Sequence, residues 1–415
     1  MNTRLPRAVW LVVVVGIAAR LAFACGYWVD KPLTHDEREY LLLARNVADG
    51  RGFTYAWPDG TQAPGEHFGR APVYPLFLAG IICAVAPGSP IAPGAATGPA
   101  DEPAAVLCAV RLVQAVLGGG VVGLIAWIAG CAAGARAATA SAVLSALYPP
   151  LVWMPAYVLS ETLYSMLALG CVALLMITGP RAWVWMAAGA LAGAAVLTRP
   201  ALLFFLPLAA SWLWLKRGLL PALLVALACT VVVAPWAARN ARLYHRVVLV
   251  ASEGGITFWT GNNQFAIGEG DMAANPGIKQ ANLALRERHP GLTPEELELV
   301  YYREALAFIR AQPGAWALLM ARKVFYTVVP IGPSYRLHSP LYLGASVLSY
   351  LGVLPFGILG LIRLVRRGSV PVPLVLLAAS SVLVCLVFFP QERFRIPVVD
   401  PALLVFAASW WALRG

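Results

Sequence analysis

Apolar runs of membrane-spanning length recur along this chain and constrain its fold more than any other feature. Hydrophobic residues make up 60% of the 415 residues and charged residues only 12%, whereas soluble domains are far more polar. A helix needs about 20 apolar residues to cross a hydrocarbon core of about 30 Å. We therefore predict an all-α integral membrane protein, residues 1–415 forming a single polytopic domain. About ten transmembrane helices are predicted at 8–28, 105–130, 138–155, 157–177, 183–198, 201–215, 219–236, 340–362, 371–389 and 396–413.

The charges of the short connections predict the orientation of these spans. One side would carry basic residues and no acid, which is typical of cytoplasmic connections; these residues are Arg4, Arg7, Arg136, Arg181, Lys216, Arg217, Arg363, Arg366, Arg367 and Arg414. We predict a multi-pass protein of the inner (cytoplasmic) cell membrane with both termini in the cytoplasm. The net charge of +11 then reflects topology and is no argument for nucleic acid binding.

Two long segments, residues 29–104 and 237–339, are predicted to be extracytoplasmic loops. Each includes an apolar stretch, 71–86 and 315–331, that we expect to lie along the membrane interface. A crossing at 71–86 would export Arg136 and the Lys216-Arg217 pair, against the positive-inside rule.

The first loop opens with the charged stretch HDEREYLLLARNVADGRGFTY. Thr34 followed by Glu37 is a capping box, which predicts a helix start immediately after Thr34. Asp36 and Glu37 then lie in the first turn, where the helix dipole favours ionised carboxylates. Asp36, Glu39 and Tyr40 share one helix face. Taken alone, these acids are explained as ordinary helix caps.

Other polar residues cluster at span ends on the same predicted side. They occur in the segments GEHFGR, LSETLY, LTRP, PWAARN and RFRIPVVDP and include His67, Arg70, Glu161, Arg199, Arg239, Asn240, Arg393 and Arg395. Each is also explained by snorkelling or capping. Because ionisable residues at membrane depth are costly and usually functional, their convergence predicts a cavity at the outer leaflet.

The residue types in this predicted cavity indicate a chemistry. Arginines bind phosphate through bidentate contacts, and at this depth the phosphate would belong to a lipid. Transfer of a sugar from a lipid phosphate needs cations that hold the departing phosphate and one carboxylate that accepts a proton from the acceptor hydroxyl. A glycosidase-like pair fits poorly, because adjacent side chains such as Asp36 and Glu37 diverge by about 100° on a helix.

The segments HDEREYLLLARNVADGRGF, RAPVYPLFLAG, LSETLY, LTRP, PWAARN and RFRIPVVDP, in this order, resemble the GT-C superfamily of lipid-phosphate-sugar-dependent glycosyltransferases. The resemblance is strongest to the branch of protein O-mannosyltransferases, lipid A aminoarabinose transferases and lipopolysaccharide-core galacturonosyltransferase-like proteins. It implies that Asp36 is the catalytic base and that outer-loop arginines bind the donor phosphate. The candidates are Asp36 and Glu37 for catalysis, and Arg70, Arg199, Arg239, Arg393 and Arg395 for the phosphate.

The predicted function is transfer of a sugar from a polyprenyl-phosphate donor to a lipid, glycan or protein acceptor on the outer face of the membrane, with inversion. Candidate substrate-binding residues are Tyr40, His67, Glu161, Asn240, Trp259, Asn262 and Asn263; the last three have the chemistry for sugar recognition and equally that of a membrane-anchored turn. Expected partners are the donor and membrane lipids. No cofactor is indicated, and a divalent metal is neither required nor excluded. A transporter or flippase of lipid-linked sugars and a surface-polysaccharide polymerase or ligase remain alternatives.

Overall fold

The structure is a computed structural model that describes residues 5–29, 31–56, 69–87, 103–179, 181–270, 272, 274–330 and 339–414. Within these ranges the chain is helical and contains no β-strand, as predicted. Its α-helices are α1 (Arg7–Ala22), α2 (His35–Ala48), α3 (Val73–Val85), α4 (Ala104–Ala133), α5 (Ala135–Leu147), α6 (Pro149–Trp153), α7 (Glu161–Met176), α8 (Ala182–Val196), α9 (Phe205–Arg217), α10 (Leu219–Tyr244), α11 (Gly254–Gly261), α12 (Pro276–Glu287), α13 (Pro294–Ala311), α14 (Pro313–Val328), α15 (Pro340–Arg366), α16 (Val372–Val387), α17 (Glu392–Arg395) and α18 (Val399–Ala412).

Four helical segments of the described chain are long and apolar enough to cross a membrane: Arg7–Tyr27, Ala104–Ala133, Leu219–Tyr244 and Pro340–Arg366. The pair Ala135–Leu147 and Pro149–Ala156, bent by 65°, makes a fifth if it is one broken span.

The predicted total of about ten spans is thus supported for four or five segments only. The other five predicted spans correspond to α7, α8, α9, α16 and α18, which are 13 to 16 residues long. Prolines and polar turns shorten them. The predicted span 201–215, for example, begins with a 3-10 turn at Pro200–Phe204, and residues 157–160 form bends ahead of α7.

Small residues allow the long helices to pack closely. A Cβ atom at Gly360 would lie 1.8 Å from the carbonyl oxygen of Phe406, so α15 and α18 touch through their backbones. A Cβ atom at Gly189 would likewise lie 2.3 Å from the carbonyl oxygen of Val225, which joins α8 to α10. Close backbone contact of this kind is typical of helices packed in lipid.

The first of the two long segments contains, at its start, the helix that the capping box predicts. The hydroxyl of Thr34 accepts from the backbone N–H of Glu37, and the Glu37 carboxylate accepts from the N–H of Thr34. The apolar face of α2 packs on α3 and α4 through Tyr40, Leu41, Ala44, Tyr74, Leu78, Val106 and Val110. This cluster fixes the first turn of α2 against the bundle.

The second long segment docks on the first and on the bundle. The N–H of Gly69 donates to the hydroxyl of Ser252 at 2.7 Å, and the N–H of Ser252 donates to the carbonyl of Gly69 at 3.0 Å. A Cβ atom at Gly261 would lie 1.7 Å from the carbonyl oxygen of Phe388, so α11 touches the end of α16 directly. A second capping box, at Thr293, starts α13.

Candidate active site

A cavity of about 820 Å³ lies between the first turn of α2, α11, α17 and the bend that follows α6. Its charged lining residues are Lys31, Asp36, Glu39, Arg70, Glu161, Glu253, Glu392 and Arg393. Segments from positions 28 to 396 contribute to it. The structure therefore brings together, around one cavity, several of the polar segments whose convergence the sequence predicts.

Asp36 lies on the cavity wall between two guanidinium groups. Its Oδ1 is 3.0 Å from Nη2 of Arg70, and its Oδ2 is 2.5 Å from Nη1 of Arg393. Burial alone would raise the pKa of Asp36, but the charges of Arg393 and Arg70 outweigh this effect and hold the pKa well below its usual range. Asp36 is therefore ionised at neutral pH.

Arg70 is the centre of the charged cluster. Besides Asp36, its guanidinium pairs with the carboxylates of Glu39 and Glu253, the latter at 3.0 Å, and it lies over the ring of Tyr40 at 5.2 Å. Burial would lower the pKa of Arg70, but the surrounding carboxylates raise it well above its ordinary value. With three carboxylates around it, this arginine has little positive charge to offer an anionic ligand.

Arg393 and Arg395 face different environments although they are two residues apart. Arg393 is 43% exposed and pairs with Asp36 at the cavity. Arg395 is buried, lies 2.8 Å from Oδ1 of Asp400, and covers the ring of Tyr350 at 3.6 Å. Arg395 does not line the cavity. Its environment is that of a buried structural ion pair.

Glu37 lies outside the cavity wall, unlike its neighbour Asp36. One carboxylate oxygen accepts from the N–H of Thr34 at 2.7 Å, and the other accepts from the N–H of Val158 at 2.8 Å. Both oxygens thus bind backbone amides, and the side chain is buried. These contacts connect α2 to the bend before α7, so the environment of Glu37 is that of a structural residue.

The remaining predicted phosphate ligands lie behind the cavity wall. Arg199 pairs with Oε1 of Glu161 at 2.6 Å, and of the two only Glu161 lines the cavity. Arg239 stacks over Trp236 at 4.5 Å and donates to Oδ1 of Asn240 at 3.0 Å. Asn240 in turn donates to the carbonyls of residues 248 and 250. These contacts hold the end of α10 and leave neither Arg239 nor Asn240 in the cavity.

The predicted sugar-recognition residues of the second segment have structural partners instead. Trp259 is buried against Tyr301. Asn262 donates to the carbonyl of Val387 and accepts from Nζ of Lys323 at 3.0 Å. Asn263 accepts from the N–H of residue 265 and donates to the carbonyl of Trp259.

Two further predicted residues have different outcomes. Tyr40 packs beneath Arg70 and edge-on to Tyr74, outside the cavity lining. His67 lies outside the described residues.

The sequence did not single out several residues that line the cavity. Glu39 was placed on the same helix face as Asp36 but was not among the predicted site residues. Glu253 follows no motif and reaches Arg70 only because the two long segments dock. Trp28, Trp153, Tyr157 and Tyr342 also line the cavity; in the sequence they look like ordinary aromatic residues at helix ends.

The part of the chain that the structure describes contains no group of three or more His, Cys, Asp or Glu side chains arranged to hold a metal ion. Four of the five acids at the cavity, Asp36, Glu39, Glu161 and Glu253, are paired with Arg70, Arg393 or Arg199, and Glu392 is paired with Arg395.

No family model and no curated protein matches the chain. Among solved structures, it aligns over 97% of its length with the oligosaccharyltransferase AglB from Archaeoglobus fulgidus in complex with an inhibitory peptide and a dolichol-phosphate, at 15% identity and a TM-score of 0.54, covering 50% of that chain. The apo form of the Archaeoglobus fulgidus oligosaccharyltransferase gives 15% identity, the same two coverages and a TM-score of 0.55. The chain thus spans about half the length of the oligosaccharyltransferase chains it matches.

ArnT from Cupriavidus metallidurans bound to undecaprenyl phosphate aligns with 97% of this chain and 77% of its own, at 14% identity. Its TM-score of 0.46 is too low to support an argument. The likeness to the oligosaccharyltransferase concerns the fold, because sequence identity is low throughout. Within the described residues the chain is helical, with apolar helices of membrane-spanning length, and it shares the fold of the matched half of the AglB oligosaccharyltransferase.

Proposed function

We propose that this chain is a GT-C glycosyltransferase of the inner membrane that moves a sugar from a polyprenyl-phosphate donor to an acceptor at the outer face. Segments 29–104 and 237–339 are extracytoplasmic in this proposal, and both termini are cytoplasmic. The observation that carries it is the position of Asp36. This ionised carboxylate lies on the wall of a large cavity, in contact with a partly exposed guanidinium. A positioned base beside a cation is what transfer from a lipid phosphate requires.

In the proposed reaction, the acceptor hydroxyl attacks the anomeric carbon of the donor sugar. The new acceptor O–C1 bond forms while the bond between C1 and the phosphate oxygen breaks. The hydroxyl proton passes to a carboxylate oxygen of Asp36, and the polyprenyl phosphate departs with the bonding electron pair. Attack opposite the leaving group inverts the anomeric configuration.

Arg393 is the proposed principal ligand of the departing phosphate. It is exposed to the cavity and has one carboxylate partner, Asp36, among the described residues. Arg70 is surrounded by three carboxylates, and Arg395 is buried against Asp400. We assign Glu37 to the folding of α2, with Arg199 and Arg239 as supports of the cavity wall.

The contact between Arg393 and Asp36 also explains how Asp36 becomes an effective base. In the free site, Arg393 and Arg70 depress the pKa of Asp36, and a strongly depressed pKa means a weak base. A donor phosphate that binds Arg393 competes with Asp36 for that charge. The pKa of Asp36 then rises, so Asp36 becomes an effective base only when the donor is bound.

Mass spectrometry of envelope lipids and glycans from a deletion strain tests this proposal. The strain should accumulate a polyprenyl-phosphate sugar and lose the corresponding sugar from one envelope product. Complementation with the wild-type chain should restore both, and complementation with Asp36→Asn should restore neither. Unchanged lipid and glycan profiles in the deletion strain would refute the proposed activity.

A further inference from the structure

The cavity has a second side whose chemistry differs from that of the Asp36 cluster. Trp28, Trp153, Tyr157 and Tyr342, which we call the aromatic wall, line it from three separate chain segments. The rings of Trp28 and Tyr157 are 4.6 Å apart, and those of Trp153 and Tyr342 stack at 4.2 Å. Aromatic faces carry partial negative charge, so this side favours a ligand with a flat, weakly positive C–H face.

Three residues that line the cavity each have a buried polar atom with no hydrogen-bond partner among the described residues. These atoms are Nε1 of Trp153, Oγ1 of Thr260 and Oε2 of Glu161. The indole of Trp153 is only 7% exposed. A buried donor or acceptor without a partner costs about 1–3 kcal/mol, so such groups in a cavity indicate a ligand that supplies the missing partners. An indole donor, a hydroxyl and a carboxylate together match hydroxyl groups.

From these two features we infer that the aromatic wall binds the pyranose ring of the acceptor, so that the acceptor is a saccharide. The inference rests on the proposed function. A pyranose combines an apolar C–H face for the rings of Trp28 and Trp153 with a rim of hydroxyls for the unpaired polar atoms. Pockets of this kind, apolar with a few placed polar groups, fix the orientation of the bound molecule.

The geometry of the reaction assigns this ring to the acceptor. The donor sugar is bonded directly to its phosphate, so it lies beside Arg393 and Asp36. Asp36 also has to reach the attacking hydroxyl. The aromatic wall comes from other segments of the same cavity, so we place the second ring, that of the acceptor, against it.

Other occupants fit the aromatic wall less well. A prenyl chain would cover the rings but leave the indole N–H of Trp153 without a partner. A peptide carrying a serine or threonine offers a hydroxyl but no rigid C–H face to match Trp28 and Trp153.

Saturation-transfer-difference NMR of the full chain in lipid nanodiscs tests the inference with methyl α-glycosides of glucose, galactose and mannose as probes. At least one glycoside should show saturation transfer concentrated on the protons of one face of its pyranose ring. Trp153→Phe, which keeps an aromatic face but replaces the indole by a smaller phenyl ring and removes the N–H, should weaken binding about fivefold. Trp153→Leu should abolish face-selective transfer. Trp183→Phe, at an indole that is 62% exposed elsewhere, is the matched control and should bind as the wild type does.

Competition experiments identify the source of the signal. Saturation with undecaprenyl phosphate should leave the glycoside bound; displacement would assign the aromatic wall to the prenyl chain and overturn the inference. Displacement by an acetylated Ser- or Thr-containing tripeptide would overturn it in favour of a peptide acceptor. Absence of transfer for every glycoside, or equal transfer in wild type and Trp153→Leu, would also overturn it.

Failure of the acceptor assignment can be distinguished from failure of the proposed function. Asp36→Asn should slow sugar transfer about 10²–10⁴-fold but leave glycoside binding unchanged, because Asp36 is not part of the aromatic wall. If the wild type binds a glycoside but transfers no sugar, the proposed activity alone is refuted. If it transfers sugar but binds no glycoside at the aromatic wall, the acceptor assignment alone is refuted.

Discussion

Arg393 and Arg395 allow a test of how the site handles phosphate, because they are close in sequence but differ in environment. Arg393→Gln removes a partly exposed charge from the cavity. Its ion pair with Asp36 contributes about 1 kcal/mol or less to folding at such exposure, so the variant should fold normally. The loss of one donor to a departing oxyanion costs about 10²–10³ in rate. We therefore expect an intact thermal midpoint and a transfer rate lower by that factor.

Arg395→Met should behave in the opposite way. It leaves Asp400, which is 0% exposed, without its partner at 2.8 Å. Breaking a buried pair by removing one member costs about 3–5 kcal/mol, so the variant should have a lower thermal midpoint. The fraction that folds should bind undecaprenyl phosphate normally.

Native mass spectrometry with undecaprenyl phosphate and a thermal melt in the same detergent measure both variants. Normal binding of undecaprenyl phosphate by Arg393→Gln, combined with loss of binding in folded Arg395→Met, would refute the assignment of phosphate to Arg393. It would return Arg395 to the role that the sequence suggested.

Three further predictions concern folding, pH and topology. Glu37→Leu leaves the backbone N–H groups of Thr34 and buried Val158 without their carboxylate partner and should destabilise the protein by about 1–3 kcal/mol. Glu37→Gln has one oxygen and can keep only one of these two bonds, so it should melt between Glu37→Leu and the wild type; equal melting of wild type and Glu37→Leu would contradict the structural role of Glu37. Burial raises the pKa of Glu253 despite the nearby Arg70, so the folded state favours the protonated carboxyl. The stability of the protein should therefore fall as the pH rises from about 4.3 through the raised pKa. Glu253→Gln should flatten this part of the pH–melting profile while donor binding persists, and an unchanged profile would refute the role of Glu253 in the pH dependence. Single cysteines at Leu292 and Gln391 should react with an impermeant reagent from outside, and cysteines at Arg136 and Arg217 should not; labelling of Arg136→Cys from outside would reverse the proposed orientation.

The sequence predicted those parts of the fold that depend on local chemistry. The capping boxes at Thr34 and Thr293 define helix starts through contacts three residues apart, so α2 and α13 could be predicted. The apolar pattern likewise predicted where helices occur. It did not predict their lengths, because hydrophobicity does not show where proline and glycine divide a run, as between α5 and α6.

The residue types of the candidate site could be predicted from the sequence, but the ion pairs between them could not. Several expected polar segments meet at one cavity, yet Arg393 and Arg395, both predicted as phosphate ligands, differ in environment: Arg393 pairs with Asp36 at the cavity, and Arg395 pairs with buried Asp400. The contact of Glu253 with Arg70 depends on the docking of two long segments that are far apart in sequence. Residue spacing carries no information about such contacts.

Asp36 is the residue on which the proposed reaction depends. Asp36→Asn keeps the shape of the side chain and its place in the first turn, where Asn is as suitable as Asp. It removes the proton-accepting charge. A positioned general base contributes about 10²–10⁴ to the rate.

The most direct test is the transfer rate of purified Asp36→Asn, measured in nanodiscs with the lipid-linked sugar that accumulates in the deletion strain. Release of the polyprenyl phosphate can be followed by mass spectrometry, with the thermal midpoint as a control for folding. We predict a rate about 10²–10⁴ times lower than that of the wild type, at a similar thermal midpoint and with the donor still bound. A folded Asp36→Asn protein that transfers sugar at the wild-type rate would contradict the assignment of Asp36 as the base.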